Sequence, residues 1–468
     1  MKALTLIPHQ SNGNHRGLNL HVVEHGHRPN GGSDRNVEVA EVGREIVFNP
    51  TILDTYTYDG WRPVHYDLLV LCASVEYADR RRARVAGQWP RQFKITIPVR
   101  ELAAWQQPVV QACLRDTLRH LTGDNWQFSF IRAQDLAVDD LRQRTLPFGN
   151  NKQFAIAYSD GLDSRCVSGL FDINDSAVRV RVAKYKARVK EGERPFDLIP
   201  FVVKPASARE RGVRSRGFKF AAITAVAGQL SGVSKIIVPE SGQGALGPVL
   251  LPLHNIYADY RNHPTFFRMM ERFIKALLGY VVTYEQPRLW QTKGQTIAAF
   301  LAQSKYGPDA VLNTRSCWQQ RWNARVSGNL RQCGLCAACL LRRMSMHAAG
   351  VSEPADKYAI SDLTVGRYED AIPRSNRMRP SNTMVEHGSV GVRHLQQLGD
   401  MAELPDAALQ LHVFEIARAT GASEQDTRDK LRNLLEQHAS EWRSYVGAQG
   451  QHSFLRSWII GGRYGRSE

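Results

Sequence analysis

The chain has no apolar run that approaches the roughly 20 residues needed for a membrane-spanning helix. Its amino-terminal apolar stretch is too short for a signal peptide, and Pro8 interrupts it. These absences argue against membrane insertion and against export. We therefore expect a cytoplasmic protein that has no membrane partner.

Cysteine is scarce, with seven residues among 468, and acidic residues are outnumbered by basic ones. Thiols stay reduced in the cytoplasm. Seven cysteines in a cytoplasmic protein therefore favour a metal or catalytic site over a disulfide framework. There are 61 lysines and arginines against 45 aspartates and glutamates, which gives a net charge of +16. This charge favours an anionic partner, which could be a nucleotide, a nucleic acid or an acidic protein. Nucleic acid is possible, but no motif of a nucleic-acid-binding module indicates it.

The stretch 154–171 has the pattern of a buried strand, a polar turn and the start of a helix. The turn is Ser-Asp-Gly-Leu-Asp-Ser at 159–164. Such a turn directs backbone N–H groups and the positive end of the helix dipole to one point, which favours a phosphate. It is not a Walker A loop, because no Gly-Lys-Ser/Thr follows at the required spacing. An ordinary strand–turn–helix connection is the alternative.

The following residues predict an α/β domain with parallel strands at 178–182, 201–203 and 235–239. Arg216 begins the segment that opens an apolar helix at 221–230, where it could reach a nucleotide phosphate. The Gly-x-Gly-x-x-Gly pattern at 242–247 suggests a dinucleotide site, but Pro248 argues against the helix that this fingerprint needs. We therefore predict a ligand-contacting loop there.

Lys293 lies at the entry to another predicted helix. A cation at a helix amino terminus is unfavourable for the helix dipole, so an anionic ligand beside it would explain its position. An ordinary surface lysine is an equally good explanation.

Four cysteines have the spacing of a metal site. The Cys-x-x-Cys-x-x-Cys run can turn its thiolates towards one ion, and a distant cysteine can close a tetrahedral shell. Structural zinc is favoured over a 4Fe–4S cluster, because the fourth cysteine and the proline of the ferredoxin run are missing. The predicted ligands are Cys317, Cys333, Cys336 and Cys339. The other three, interpreted as buried thiols, are Cys72, Cys113 and Cys166.

The flanking regions show no catalytic constellation. Before residue 46 we expect a loose lead-in, then strands at 66–75 and 93–99, a helix over 102–121, and a solvated hairpin tip at the arginine-rich 80–84. Segment 367–391 predicts a long loop, and helices follow. The predicted domains are an α+β accessory domain (1–150), an α/β domain with the cysteines (151–360), and a linker with a helical extension (361–468).

The order of SDGLDS, RGFKF, a glycine-rich segment, TKGQT and CGLCAAC resembles the QueC family over about residues 150–360. These are zinc-containing PP-loop ATPases that make 7-cyano-7-deazaguanine. The resemblance implies a parallel-sheet, adenine nucleotide alpha hydrolase-like core with a zinc-binding subdomain. It also implies ATP, Mg²⁺ and Zn²⁺ as cofactors, and a deazaguanine carboxylic acid that is adenylated and then attacked by an amine.

The resemblance also implies roles for particular residues. The residues expected around the nucleotide are Ser159, Asp160, Gly161, Leu162, Asp163 and Ser164. The residues expected to be catalytic are Asp163, Arg216 and Lys293. Asp160 departs from the family, which usually has glycine there; its side chain could point outwards, help to hold magnesium or signal an altered activity.

The chain also extends beyond a housekeeping QueC at both ends, and so resembles the longer QueC-like proteins of bacterial anti-phage (Qat) operons. That group implies a protein partner from the same operon, a QatB-like acceptor whose amino-terminal amine could replace ammonia. Three functions therefore compete: an ATP-dependent ligase for a deazaguanine acid, another PP-loop enzyme that modifies tRNA, and a non-catalytic scaffold. The first is favoured.

Overall fold

A computed structural model describes residues 17–27, 36–54, 60–85, 89–134, 151–159, 161–172, 174–184, 197–210, 212–252, 256–303, 306–317, 325–326, 329–372 and 382–460. These residues form a mixed α/β structure with two mainly parallel sheets and a short antiparallel pair of strands, β11 with β12. The strands are β1 (Leu18–Val23), β2 (Val37–Glu41), β3 (Ile46–Phe48), β4 (Gln92–Val99), β5 (Asn125–Arg132), β6 (Phe154–Ala157), β7 (Ala177–Ala183), β8 (Asp197–Val203), β9 (Lys235–Ile237), β10 (Thr283–Glu285), β11 (Arg325–Val326) and β12 (Asn329–Leu330).

Helices of very different lengths surround the sheets, and none in the described ranges is both long enough and apolar enough to cross a membrane. The helices are α1 (Thr51–Asp54), α2 (Pro63–Arg81), α3 (Leu102–Gln106), α4 (Pro108–Thr122), α5 (Leu162–Phe171), α6 (Arg216–Leu230), α7 (Gly242–Leu250), α8 (Pro264–Leu278), α9 (Lys293–Ala302), α10 (Asp309–Leu312), α11 (Ala337–Ala348), α12 (Asn382–Asp400), α13 (Asp406–Thr420), α14 (Glu424–Ala448) and α15 (Phe454–Ile460).

The larger sheet has the order β10–β9–β6–β7–β8–β3, and its neighbours are parallel except for β3 against β8. The chain runs from β6 through β7 to β8 and then returns to the other side of β6 with β9. The strand order therefore reverses between β6 and β9. In open α/β sheets, ligands bind outside the carboxyl ends of the strands at this point.

The amino-terminal strands make a second sheet of order β2–β1–β4–β5, in which every pairing is parallel. Helix α2 packs on helix α6, and one apolar cluster joins this sheet to the larger one. Strand β3 also lies in the larger sheet, where Ile46 pairs with Val203. The region before residue 150 thus contributes a strand to the sheet that the middle of the chain forms.

Several predicted elements are wrong. Residues 66–75 lie inside helix α2, not in a strand, because a run that is apolar on every side suits a buried helix as well as a buried strand. The arginine-rich 80–84 is therefore not a hairpin tip: Arg84 forms ion pairs with Asp79 and Asp124, and all three side chains are buried. Pro108 divides the helix predicted over 102–121 into α3 and α4.

Three predicted loops also contain regular structure. Strands β1 and β2 lie within the supposed lead-in, and helix α12 begins at Asn382 within the supposed loop 367–391. The third is 242–247, which starts helix α7. Pro248 lies inside this helix, where it removes one N–H group and leaves the Gly244 carbonyl without its usual donor, and the helix ends two residues later, at Leu250.

Candidate functional site

The carboxyl end of strand β6 lies at the point where the strand order reverses. Two serines, Ser159 after the strand and Ser164 in helix α5, are hydrogen-bonded to each other there. The Ser159 N–H donates to Ser164 Oγ over 3.2 Å, and the two hydroxyl oxygens lie 2.9 Å apart. The Gly161 N–H donates to Ser159 Oγ over 3.2 Å. These bonds fix the path of the turn into helix α5. Asp160 lies outside the described residues.

Helix α5 starts without a side-chain cap. Gly161 occupies the N-cap position with extended backbone angles, and no described side chain accepts a hydrogen bond from the first turn. The first N–H groups of a helix have no acceptor inside the helix, and here they belong to Leu162, Asp163 and Ser164. This amino terminus therefore offers donors and a positive dipole end to an anion.

Lys293 and Asp163, which are 130 residues apart in the chain, meet at this edge. Lys293 Nζ lies 2.5 Å from Asp163 Oδ2, and Ser241 Oγ donates to Asp163 Oδ1 over 2.9 Å. The Lys293 and Asp163 side chains are only 11% and 15% exposed. Burial acts to lower the pKa of Lys293, but Asp163 and then Glu240 outweigh it, so that the pKa is raised and the lysine is charged at neutral pH.

Glu240, which the sequence interpretation did not identify, is the second carboxyl group at this lysine. Its Oε1 lies 4.0 Å from Lys293 Nζ, and its Oε2 accepts a hydrogen bond of 2.8 Å from Asn262 Nδ2. Burial first and the charge of Asp163 second raise the pKa of Glu240 to about 8, against the effect of Lys293. Glu240 stands three residues after the end of strand β9, so its position near the carboxyl end of that strand could have been inferred from the sheet order.

Arg216 is the first residue of helix α6, which packs over β6 and leads to the amino end of β9. The helix therefore begins near the carboxyl edge of the sheet. The Arg216 side chain is exposed, with its guanidinium 5.6 Å from the centre of the Phe220 ring. Helix α6 packs on the opposite face of the sheet from helix α5, because Ala155 of β6 belongs to the apolar cluster that contains α6 and Ile156 to the cluster that contains Val167 of α5. No described contact joins Arg216 to Asp163 or Lys293.

Two further polar residues surround the lysine–carboxylate pair. Arg288 Nε donates to Thr296 Oγ1 over 3.2 Å, and Ser241 Oγ lies 3.4 Å from the same oxygen. The sequence interpretation missed Arg288, Thr296 and Ser241, because they meet only where helix α9 lies beside the segment that follows strand β9. Their positions in the sequence alone did not indicate a functional role.

The four predicted metal ligands come together. One ligand atom from each of the four cysteines lies within 4.8 Å of the others. Cys333 Sγ and Cys339 Sγ are 3.7 Å apart, which matches the edge of about 3.8 Å expected for a tetrahedron with Zn–S bonds near 2.3 Å. The cluster therefore fits a metal ion such as zinc.

A glycine shapes the turn of this cluster. Gly334 has φ +89°, and a Cβ there would lie 2.2 Å from Ile360 O. Only glycine satisfies both the left-handed backbone and this close approach. The turn leads into helix α11, whose Met346 packs with Ile297 of α9 and Cys166 of α5. The metal cluster thus supports the two helices that carry Asp163 and Lys293.

The remaining three cysteines lie outside the four-cysteine cluster. Cys72 and Cys166 are buried, and Cys113 is half-buried. Burial raises the pKa of both Cys72 and Cys166, so neither is a reactive thiolate at neutral pH. The prediction of buried thiols is therefore confirmed for Cys72 and Cys166, whereas Cys113 is only partly buried.

Comparisons of this chain with protein-family models, curated proteins and solved structures found no match.

Proposed function

We propose that this protein is a QueC-like, PP-loop-type ligase that adenylates 7-carboxy-7-deazaguanine and passes the acyl group to an amine. The observation that carries the proposal is the start of helix α5, whose first N–H groups no described side chain caps, beside the buried Lys293–Asp163 pair at the point where the strand order reverses. Nucleotide phosphates are anions that such a helix start favours.

ATP is the substrate that these groups suit. The amides of Leu162, Asp163 and Ser164 would contact its phosphates, and Lys293 would balance charge that develops on the departing pyrophosphate. A carboxylate becomes a good acyl donor only after its oxygen is joined to such a leaving group. Adenylation followed by attack of an amine yields an amide, AMP and pyrophosphate.

Two metal ions belong to the proposal. Asp163 and Glu240 provide the carboxylate oxygens that Mg²⁺ prefers, next to the expected phosphates. Mg²⁺ would supply neutralisation of phosphate charge. The four thiolates would hold Zn²⁺ with no open position, so zinc would stabilise the fold and take no part in the reaction.

The proposed acyl acceptor comes from the resemblance to the longer QueC-like proteins of anti-phage operons. The acyl acceptor would be the amino terminus of a QatB-like protein partner in bacterial defence, and the excess of basic side chains would help to recognise that partner. The alternative acceptor is ammonia, whose attack would give a primary amide. A second ATP-dependent activation of the amide oxygen, followed by its loss as AMP, would then form the nitrile and make the protein a 7-cyano-7-deazaguanine synthase. A mass gain of the partner protein on incubation with ATP and 7-carboxy-7-deazaguanine would favour the first acceptor.

ATP–pyrophosphate exchange tests the adenylation step. We expect exchange only when 7-carboxy-7-deazaguanine is added, and a loss of about 100-fold or more in Lys293→Met. The matched control is Lys235→Met. Lys235 is an exposed lysine at the amino end of strand β9, away from the site, and it pairs with Glu285 of strand β10. Exchange stimulated only by tRNA would instead indicate a tRNA-modifying enzyme. No exchange at all would support a scaffold, the function that Asp160 favours.

A further inference from the structure

A chain of buried hydrogen bonds connects the carboxy-terminal helices to the start of helix α9. His438 Nε2 lies 2.8 Å from the backbone oxygen of Leu395, and His438 Nδ1 lies 2.9 Å from Gln243 Nε2. Gln243 Oε1 in turn accepts a hydrogen bond of 2.7 Å from the Lys293 N–H. His438 is fully buried and Gln243 is 4% exposed.

Each bond has only one possible direction. A carbonyl oxygen only accepts, so His438 Nε2 carries the hydrogen and Nδ1 presents a lone pair. That lone pair must receive the amide N–H of Gln243, which turns the amide oxygen towards the Lys293 N–H. Burial lowers the pKa of His438 to about 4, so the imidazole has the neutral form that this arrangement requires at neutral pH.

The last bond matters because Lys293 is the first residue of helix α9, whose N–H has no acceptor inside the helix. The surrounding packing leaves little freedom. A Cβ on Gly242 would lie 2.3 Å from Leu289 O, and a Cβ on Gly294 would lie 2.9 Å from Glu441 Oε1. Helices α7 and α14 therefore hold the start of α9 from two sides.

We infer that His438 is a positioning residue, which acts through Gln243 to fix the start of helix α9 so that Lys293 faces Asp163. The carboxy-terminal extension is then part of the site and not only an addition to it. The catalytic consequence of this positioning rests on the proposed function, whereas the positioning itself does not.

Three variants separate positioning from packing. His438→Phe fills the volume but removes both side-chain hydrogen bonds. His438→Asn keeps an oxygen that can accept from Gln243 and should restore part of the effect. The matched control is Gln396→Leu, which removes the 2.9 Å hydrogen bond from Trp442 Nε1 between the same two helices, α12 and α14, without touching Gln243.

Hydrogen exchange at the Lys293 amide is the direct measurement, because Gln243 is its acceptor. We expect exchange at least about fivefold faster in His438→Phe, intermediate in His438→Asn, and unchanged in Gln396→Leu. In the pyrophosphate-exchange assay, His438→Phe should lower kcat about tenfold and leave the KM for ATP nearly unchanged. Bound zinc should stay the same in all three.

The two ideas fail in different ways. An unchanged Lys293 amide in His438→Phe, or equal acceleration in Gln396→Leu, would overturn the positioning inference. Wild-type protein that shows no pyrophosphate exchange, while the amide behaves as expected, would overturn the proposed function and leave the positioning inference supported.

Discussion

Glu240→Gln should remove a pH-dependent loss of stability from this protein. The substitution keeps the side-chain size and an oxygen that can accept from Asn262 Nδ2, but removes the ionisable group. Burial and the charge of Asp163 raise the pKa of Glu240 from 4.5 to about 8 in the folded protein. The folded state therefore holds this proton more tightly than the unfolded chain does.

The sign of the effect follows from this difference. Between pH 4.5 and about pH 8, unfolding releases a proton from Glu240, so the free energy of unfolding falls as the pH rises. Each pH unit costs about 1.4 kcal/mol, and the fall from about pH 5 to about pH 7 is about 3 kcal/mol. Relative to wild type, Glu240→Gln should therefore gain about 3 kcal/mol of stability over this interval.

Urea unfolding of both proteins at about pH 5, 6 and 7 measures this gain. Other groups titrate in both proteins, so the difference between the two free energies is the quantity to compare. Glu285→Gln is the control, since Glu285 is 44% exposed in a surface pair, and its difference should stay within about 0.5 kcal/mol. A difference between wild type and Glu240→Gln that does not vary with pH would refute the reasoning.

Three further outcomes are expected. Cys336→Ser should lose bound zinc, measured by elemental analysis, whereas Cys166→Ser should keep it, because Cys166 lies outside the cluster. Gly334→Ala should also lose the metal. Gly350 has φ +69° but open space around it, so Gly350→Ala should lower the free energy of unfolding in urea by only about 1 kcal/mol. Burial lowers the pKa of His263 to about 3, so the free energy of unfolding should fall as the pH drops below 6.5. His263→Asn should make this fall with pH less steep in an acid titration. An equally steep fall in the variant would contradict the prediction.

The signals that could be found in the sequence are local ones. The strand–turn–helix at 154–171 and the cysteine spacing each lie in a short segment, and the structure has both. Helix α2 was mistaken for a strand because nearly all of it is buried, which removes the period that distinguishes the two structures. For a buried segment the surroundings, and not the pattern, decide its conformation.

The missed part of the site is non-local. Glu240 and Asp163 are neighbours only because β9 returns beside β6. The link from His438 to Lys293 needs three segments to meet, because Gln243 must lie between them. No spacing rule along one chain gives such a juxtaposition.

The position of Lys293 also needs a different explanation from the one that the sequence suggested. A cation at a helix start indicated an anionic ligand, but carboxyl groups of the chain already lie there. Asp163 and Glu240 face the lysine itself, and Glu441 accepts a hydrogen bond from the N-cap residue Thr292. These offset the unfavourable dipole without any ligand. The stronger indication of a bound anion is therefore the start of helix α5, where no described side chain takes the place of a phosphate.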